Sequence, residues 1–309
     1  MPPTTTRFLL SSNPTALAAC APHITVEAEY GDTCVEGSVL TLAHHGPRAG
    51  RPAPCSQGNQ PAGYAKRAGL TEVVVGLSHI DLDTIGGCMG VLGVQPLALG
   101  FWAAAEFVDL NGVHRLGGWL GEVAYTPEAK TFILECLHAF WAFSEQNRVY
   151  PPRDGSVADV TDKVRAMVDV LVTILTPGSE GRDALIEAGR VFAAREAQLE
   201  AESFASLSGG VVVRRSKQFI NHLYTHGAEV AGVVVGYNDE TGAVTVSYEA
   251  GVPSGMPTAR ALVQARWGEL AGGHDGIAGS PRGQKLSFEE AEAFAAHVRA
   301  LLTRPQVSR

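Results

Sequence analysis

The sequence predicts an α/β protein: a mostly parallel, doubly wound sheet with a helical block, followed by a smaller α+β C-terminal domain. Three observations carry this. Four apolar runs in the first part of the chain, 7–12, 37–45, 72–83 and 105–114, are short, β-rich and end in hydrogen-bonding residues, as strands buried on both faces do. A block rich in Ala, Glu, Leu and Arg then runs from 126 to 204. Beyond "ASLSGG" (205–210) the texture changes to alternating strands and Gly-rich loops, which reads as a domain boundary. The predicted domains are 1–205 and 206–309.

The elements follow in order. "RFLLSS" (7–12), "GSVLTLAHH" (37–45), "EVVVGLSHIDLD" (72–83) and "AEFVDLNGVH" (105–114) are the expected strands. Ligands of such sheets bind outside the carboxyl ends of the strands, so these polar endings are expected to converge on one crevice. Thr126, Pro127 and Glu128 supply the cap, first position and acidic first turn of a helix over 126–148. Further helices are expected over 156–175 and 179–204. In the second domain, "VAGVVVGY" and "GAVTVSYE" flank "NDET" as a hairpin. The loop "GELAGGHDGIAGSPRG" (268–283) precedes a last helix, 287–302, opened by the capping-box pair Ser287 and Glu290.

Composition narrows the function. The chain has 309 residues, 45% of them apolar and 18% charged, with a net charge of −8. That is a globular protein with a substantial core, and an acidic one, which argues against binding long duplex nucleic acid. A small anionic phosphorylated substrate needs only a few local cations. No apolar run is long enough to cross a bilayer. "LAAC" ending at Cys20 imitates a lipoprotein cleavage site, but Ser11, Ser12, Asn13 and Pro14 interrupt the apolar segment that such a leader needs. Five cysteines without CxxC spacing suggest reduced thiols, and a cytoplasmic location is expected.

The chemistry-bearing stretch is "GLSHIDLDTIGGCMG" (76–90). His79, Asp81 and Asp83 have period-two spacing and share one side if the extended backbone persists. Imidazole with hard carboxylate oxygen suits Mn²⁺, Fe²⁺ or Mg²⁺; the plainer reading is an Asp helix cap on a surface loop. Gly86 and Gly87 would turn the chain into a helix. Asp109 ends its own apolar run and is a further ligand candidate, with His114 five residues on. His44 and His45, adjacent at a strand end, read as metal ligands, a substrate phosphate contact or a loop feature. His138, mid-helix among apolar residues, reads as core. In the second half, Gly272 and Gly273 allow close backbone approach and His274 can donate to a phosphate oxygen, although such loops are usually ordinary turns. Arg214, Arg215 and Lys217 follow the linker, as crevice cations or as a surface cluster.

Two of these motifs together resemble a known family. "SHIDLDTIGG" is similar to the first motif of the DHH phosphoesterase superfamily, and "WGELAGGHDGIAG" resembles the glycine-histidine loop of the DHHA1 domain that follows it. Their order is the family's. The resemblance implies a DHH-like metal-binding domain and a DHHA1-like substrate-binding domain. It implies a phosphodiesterase or phosphatase using one or two Mn²⁺ or Mg²⁺ ions, with a small nucleotide, dinucleotide or very short oligonucleotide held in a cleft between the domains. By that resemblance His79, Asp81 and Asp83 are the catalytic metal ligands, joined by Asp109 and in part His114. His44, His45, Arg214, Arg215, Gly272, Gly273 and His274 are the expected substrate contacts. No literal Asp-His-His triplet occurs; the nearest, Ala43-His44-His45, precedes the HxDxD. The competing readings are a nucleotide- or metal-binding protein without turnover and a metal hydrolase acting on a non-phosphate bond. A homodimer is compatible with either.

Overall fold

The computed structural model describes residues 5–30, 32–57, 69–281 and 283–303. By internal contacts the chain divides into two compact units, Met1–Ala193 and Ala194–Arg309.

The first unit is built on a five-stranded sheet of order β5-β2-β6-β1-β7, made from β1 (Thr5–Leu10), β2 (Ile24–Val26), β5 (Leu40–Leu42), β6 (Glu72–Leu77) and β7 (Ala158–Asp159). β3 (Glu29–Tyr30) and β4 (Thr33–Cys34) form a separate hairpin. The first four strands of that order run parallel and β7 is antiparallel to β1. Alternation along β1 sends Phe8 and Leu10 to one face and Leu9 to the other. The larger face is covered by α2 (Leu82–Leu92), α3 (Leu99–Asn111), α5 (Pro127–Gln146) and α6 (Thr161–Leu175); α4 (Leu116–Glu122) joins the same core through Leu116 and Leu120. The smaller face is covered by α1 (Pro14–Ala19) through Leu17. Helices on both faces are what near-continuous apolar strands require, and the expected α/β core is present.

One expected strand is a helix. Residues 105–114 are not extended: α3 runs from Leu99 to Asn111, and "FWAAAEF" supplies the Ala-rich helix propensity that outweighs the short "FVDL" run. The strand expected over 72–83 also ends early, at Leu77, because Asp81 caps a helix. Gly86 and Gly87 do not form the turn. They lie inside α2, where a Cβ on Gly86 would sit 2.4 Å from Cys55 Cβ and one on Gly87 2.7 Å from Val26 Cγ1. Glycine is required there for close approach of the helix to the segment Pro54–Ser56 and to β2.

The division between the units falls inside α7 (Arg182–Ser203). The second unit has a six-stranded sheet of order β14-β15-β13-β12-β9-β8. β8 is Phe204–Ser208, β9 Val211–Ser216, β12 Val233–Asn238, β13 Val244–Tyr248, β14 Gly272–Gly273 and β15 Ile277–Gly279; β10 (Thr225–His226) and β11 (Glu229–Val230) form a small hairpin. β9 and β12 are parallel and the remaining pairs antiparallel. Val211 and Val213 of β9, Val233 and Val235 of β12, and Val244 and Val246 of β13 pack on α8 (Ala259–Trp267) and α9 (Phe288–Leu302) around Phe294 and Val298. The hairpin expected around "NDET" joins β12 to β13, and the Ser287–Glu290 capping box opens α9. This is the smaller α+β part of the predicted fold class.

Candidate metal centre

Three neighbouring parallel strands set the site. β5, β2 and β6 run side by side in register, with Leu42, Val26 and Leu77 level with one another at their carboxyl ends. The next residues are Ala43-His44-His45, Glu27 and Ser78-His79. The crevice outside strand carboxyl ends is where α/β sheets bind ligands, and here it is lined by acids and imidazoles. The backbone of Glu27 donates to Leu42 O at 2.9 Å, and Ser78 Oγ donates to Glu27 O, stitching the three strand ends together. Glu27 holds φ at +48°, a left-handed conformation that costs a non-glycine residue on the order of 1 kcal/mol or more.

α2 and α3 contribute the other carboxylates. Asp81 is the N-cap of α2 and accepts from Thr84 N at 2.8 Å, so the Asp-cap reading is correct for this residue. Asp83 lies in the first turn, buried, and accepts from Cys55 N at 2.8 Å. That donor is itself held: Glu106 of α3 accepts from Ala53 N at 3.3 Å and from Ser56 Oγ at 2.5 Å. Asp109, in the last turn of α3, reaches the same place from a helix rather than from the expected strand end.

The convergence is tight. His44 Nε2 lies 2.8 Å from Asp109 Oδ2, 3.3 Å from Asp83 Oδ2 and 3.7 Å from Glu27 Oε1. His45 Nε2 lies 2.9 Å from Asp109 Oδ2 and 3.6 Å from Glu27 Oε2. Two overlapping groups, Glu27-His44-His45 and His44-Asp83-Asp109, each bring one ligand atom per residue within 4.8 Å of one another. Yet Glu27 Oε1, both ring nitrogens of His44, Asp83 Oδ2 and Asp109 Oδ2 are buried without a hydrogen-bond partner. Buried polar atoms are normally satisfied. Four of these, Glu27 Oε1, His44 Nε2, Asp83 Oδ2 and Asp109 Oδ2, converge, and such a set of imidazole nitrogen and carboxylate oxygens fits a divalent cation.

Electrostatics agree with that reading. Burial, together with Asp83, Glu29, Asp81 and Asp109, pushes the Glu27 carboxyl up to about 10. Burial pushes Asp83 up to about 7, against the hydrogen bonds from Cys55. At Asp109 burial works the same way, but His44 and His45 more than offset it and hold its carboxyl below the ordinary range. Three carboxyls crowded this way call for positive charge between them.

His79 and Asp81 form a separate pair at the rim. His79 Nε2 is 3.2 Å from Asp81 Oδ2 and its Nδ1 2.8 Å from Ser78 Oγ, and both side chains are about two-fifths exposed, 45% and 39%. They belong to neither three-residue group. Period-two alignment of His79, Asp81 and Asp83 fails because the extended backbone gives way to the cap of α2. His114 lies in the one-turn helix Val113–Arg115 after α3 and is likewise outside both groups. His44 and His45, for which the sequence left metal ligation, a substrate phosphate contact or a loop feature open, lie in the two three-residue groups. Glu27 was not anticipated; the only signal is "ITVE", a three-residue β-branched run ending in an acid.

The residues expected in the second unit are placed differently. Arg214 is fully buried, donating to Leu223 O at 3.0 Å, to Ser203 Oγ at 3.3 Å, and to the carbonyls of Glu200 and Thr225. Its donors are spent on the protein, so it is a structural cation and not a substrate contact. Arg215 is half-exposed and bridges to Asp239 at 2.7 Å. Gly272 and Gly273 form β14, and a Cβ on Gly273 would lie 2.5 Å from Ala278 Cα, so this glycine serves the contact with β15. His274 is exposed and its backbone donates to Ile277 O at 2.7 Å. Arg282 of the same loop lies outside the described residues. His138 is partly buried beside Trp141, and burial lowers its pKa, in keeping with a core position.

No protein-family profile matches the chain, and no curated protein matches it. Among solved structures the chain is similar to RecJ in complex with Mn²⁺ from Thermus thermophilus, with 17% identity and a TM-score of 0.33. The match covers 72% of this chain and 36% of that one, so the chain aligns with about a third of the neighbour's length.

Proposed function

We propose that the protein is a metal-dependent phosphoesterase that hydrolyses a small phosphoester of the nucleotide, dinucleotide or very short oligonucleotide class. The observation that carries the reading is the set Glu27, His44, Asp83 and Asp109, whose buried Oε1, Nε2, Oδ2 and Oδ2 atoms converge without a hydrogen-bond partner of good geometry, with the partly exposed His45 beside them. These five residues would hold Mn²⁺ or Mg²⁺. A divalent ion bound there lowers the pKa of water and neutralises phosphoryl oxygens. The chain's own residues do the rest. Glu106, through Ala53 and Ser56, fixes the Cys55 amide that orients Asp83. His79, held between Ser78 and Asp81 at the rim, is placed to hold a proton for a leaving oxygen. Asp81 raises the pKa of His79 against the effect of burial. The acidic net charge favours a small substrate over a long polymer. All five cysteines are free, which supports a reducing, cytoplasmic setting; no helix of the described residues is long and apolar enough to cross a membrane.

A second reading, a metal-binding protein without turnover, is favoured by Ala43, which stands before His44-His45 where the DHH triplet carries an acid. One experiment separates them. Chelator-stripped protein is assayed for release of product from pApA with and without Mn²⁺, beside Asp83→Asn and His79→Gln. The hydrolase reading expects Mn²⁺-dependent cleavage that both variants lose, with metal binding lost only in Asp83→Asn. Tight Mn²⁺ binding without cleavage of pApA or of a generic phosphodiester would leave the binding role.

A further inference from the structure

The loop between α2 and α3 carries a polar side chain whose donors are spent inward. α2 stops at Gly93, a left-handed C-cap with φ +72°, and the Val94 amide closes the last turn on Met89 O at 3.0 Å. Pro96 cannot continue a helix, and Trp102 Nε1 holds its carbonyl at 3.0 Å. Gln95 lies between these two anchors, partly buried.

Gln95 Nε2 donates to Cys55 O at 2.6 Å and to Gly86 O at 3.4 Å. Two carbonyls at one end of a carboxamide require its nitrogen there, because they are acceptors and cannot pair with its oxygen. The side chain thus ties the Pro54–Ser56 segment to α2 where Gly86 already lets them approach closely. Cys55 is 1% exposed, so losing this donor would leave a buried carbonyl short of a partner, which is costly.

Cys55 has its two backbone polar groups claimed by different side chains. Its carbonyl accepts from Gln95, and its amide donates to Asp83 Oδ1 at 2.8 Å. With Oδ1 engaged, Asp83 Oδ2 is the oxygen that faces His44 Nε2 at 3.3 Å, buried without a hydrogen-bond partner. The position of the Cys55 amide therefore decides how the Asp83 carboxylate is turned. Glu106 holds the flanking Ala53 and Ser56; Gln95 holds Cys55 itself.

We infer that Gln95 is a positioning residue of the metal centre: by holding Cys55 O it fixes the amide that keeps Asp83 Oδ2 aimed into the ligand set. The role rests on the metal-centred reading of that set. Losing a residue that orients a metal ligand weakens metal binding by roughly 10–100-fold, although the residue touches neither ion nor substrate.

The full chain, stripped with chelator, is titrated with Mn²⁺ by calorimetry, and the EPR spectrum of the Mn²⁺-saturated protein is recorded. Wild type is compared with Gln95→Leu, Gln95→Glu and Arg214→Met. Leucine removes the donors at similar size, and glutamate keeps the shape but sets an oxygen against Cys55 O. Both should bind Mn²⁺ about ten-fold or more weaker and with an altered spectrum, and either suffices if the other does not fold. Arg214→Met, whose loss of stability arises in the second unit, should keep its affinity within a few-fold and the wild-type spectrum. Wild-type affinity and spectrum in the Gln95 variants would overturn the role and leave the metal centre standing. An equal loss of affinity in Arg214→Met would also overturn it, as an effect of stability alone. A wild-type protein that binds no Mn²⁺ would remove the metal centre, and the role with it.

Discussion

Two buried charged regions of this molecule have opposite characters. In the second unit Arg214 is fully buried, and its guanidinium is met by backbone carbonyls, Ser203 and the more distant Glu200 carboxylate. In the first unit Glu27, His44 and Asp83 are as deeply buried, and their facing atoms have no hydrogen-bond partners. Burial alone does not distinguish a structural charge from a functional one. Satisfaction does: a satisfied buried ion holds its own surroundings together, whereas an unsatisfied cluster is complete only with something added.

The comparison predicts two contrasting losses. His44→Ala, which removes the residue common to both ligand groups, should weaken Mn²⁺ binding by about 100-fold or more and leave the metal-free melting temperature unchanged or higher. Arg214→Met should do the reverse, costing about 3 kcal/mol or more of stability while Mn²⁺ affinity stays within a few-fold. Isothermal titration and chemical denaturation of both variants check this. A metal-free His44→Ala that unfolds would show the cluster to be structural after all.

Close packing behind the cluster gives the next effect. Gly86→Ala places a methyl 2.4 Å from Cys55 Cβ and must push the Pro54–Ser56 segment away from α2. Such overpacking costs about 1–3 kcal/mol, and it also displaces the Cys55 amide that Asp83 accepts from. Both stability and metal affinity should fall, unlike either variant above. Loss of stability with metal affinity intact would detach this segment from the site.

How far the sequence disclosed this follows from the same physics. Strands β1 and β6 were legible because Val, Leu and Phe in short runs have no other comfortable place. Of the three ligand candidates in HIDLD, only Asp83 falls within the three-residue groups. The period-two argument needs an extended backbone, and Asp81 ended it by capping α2. Asp109 was expected at a strand end and lies in the last turn of α3. Glu27 was invisible because β2 is three residues long and its register beside β5 and β6 is a long-range fact. Arg214 was misread because sequence shows a charge and not the carbonyls that surround it. The helical block and the β12–β13 hairpin followed local signals, caps and turn residues, and are present as expected.

The smallest predicted effect is the most diagnostic, since it depends only on which protons the cluster holds. Unfolded, Glu27 and Asp83 release theirs at ordinary carboxyl values; folded and metal-free, they hold them up to about 10 and about 7. The native state therefore binds more protons than the unfolded state across that window, and stability must fall as pH rises through it. The raised pKa of His45, held by Asp109 against burial, adds to the same slope. Asp109 and Asp81, whose values are depressed, act only in acid, where protonating them removes stability. Mn²⁺ requires deprotonated ligands, so its stabilising effect should grow over the range in which the metal-free protein weakens. Melting temperatures from about pH 5 to about pH 8 should thus fall in chelator and hold level or rise with Mn²⁺. Glu27→Gln should flatten the chelator curve and remove much of the Mn²⁺ gain, while Arg214→Met should lower both curves without changing the gap between them.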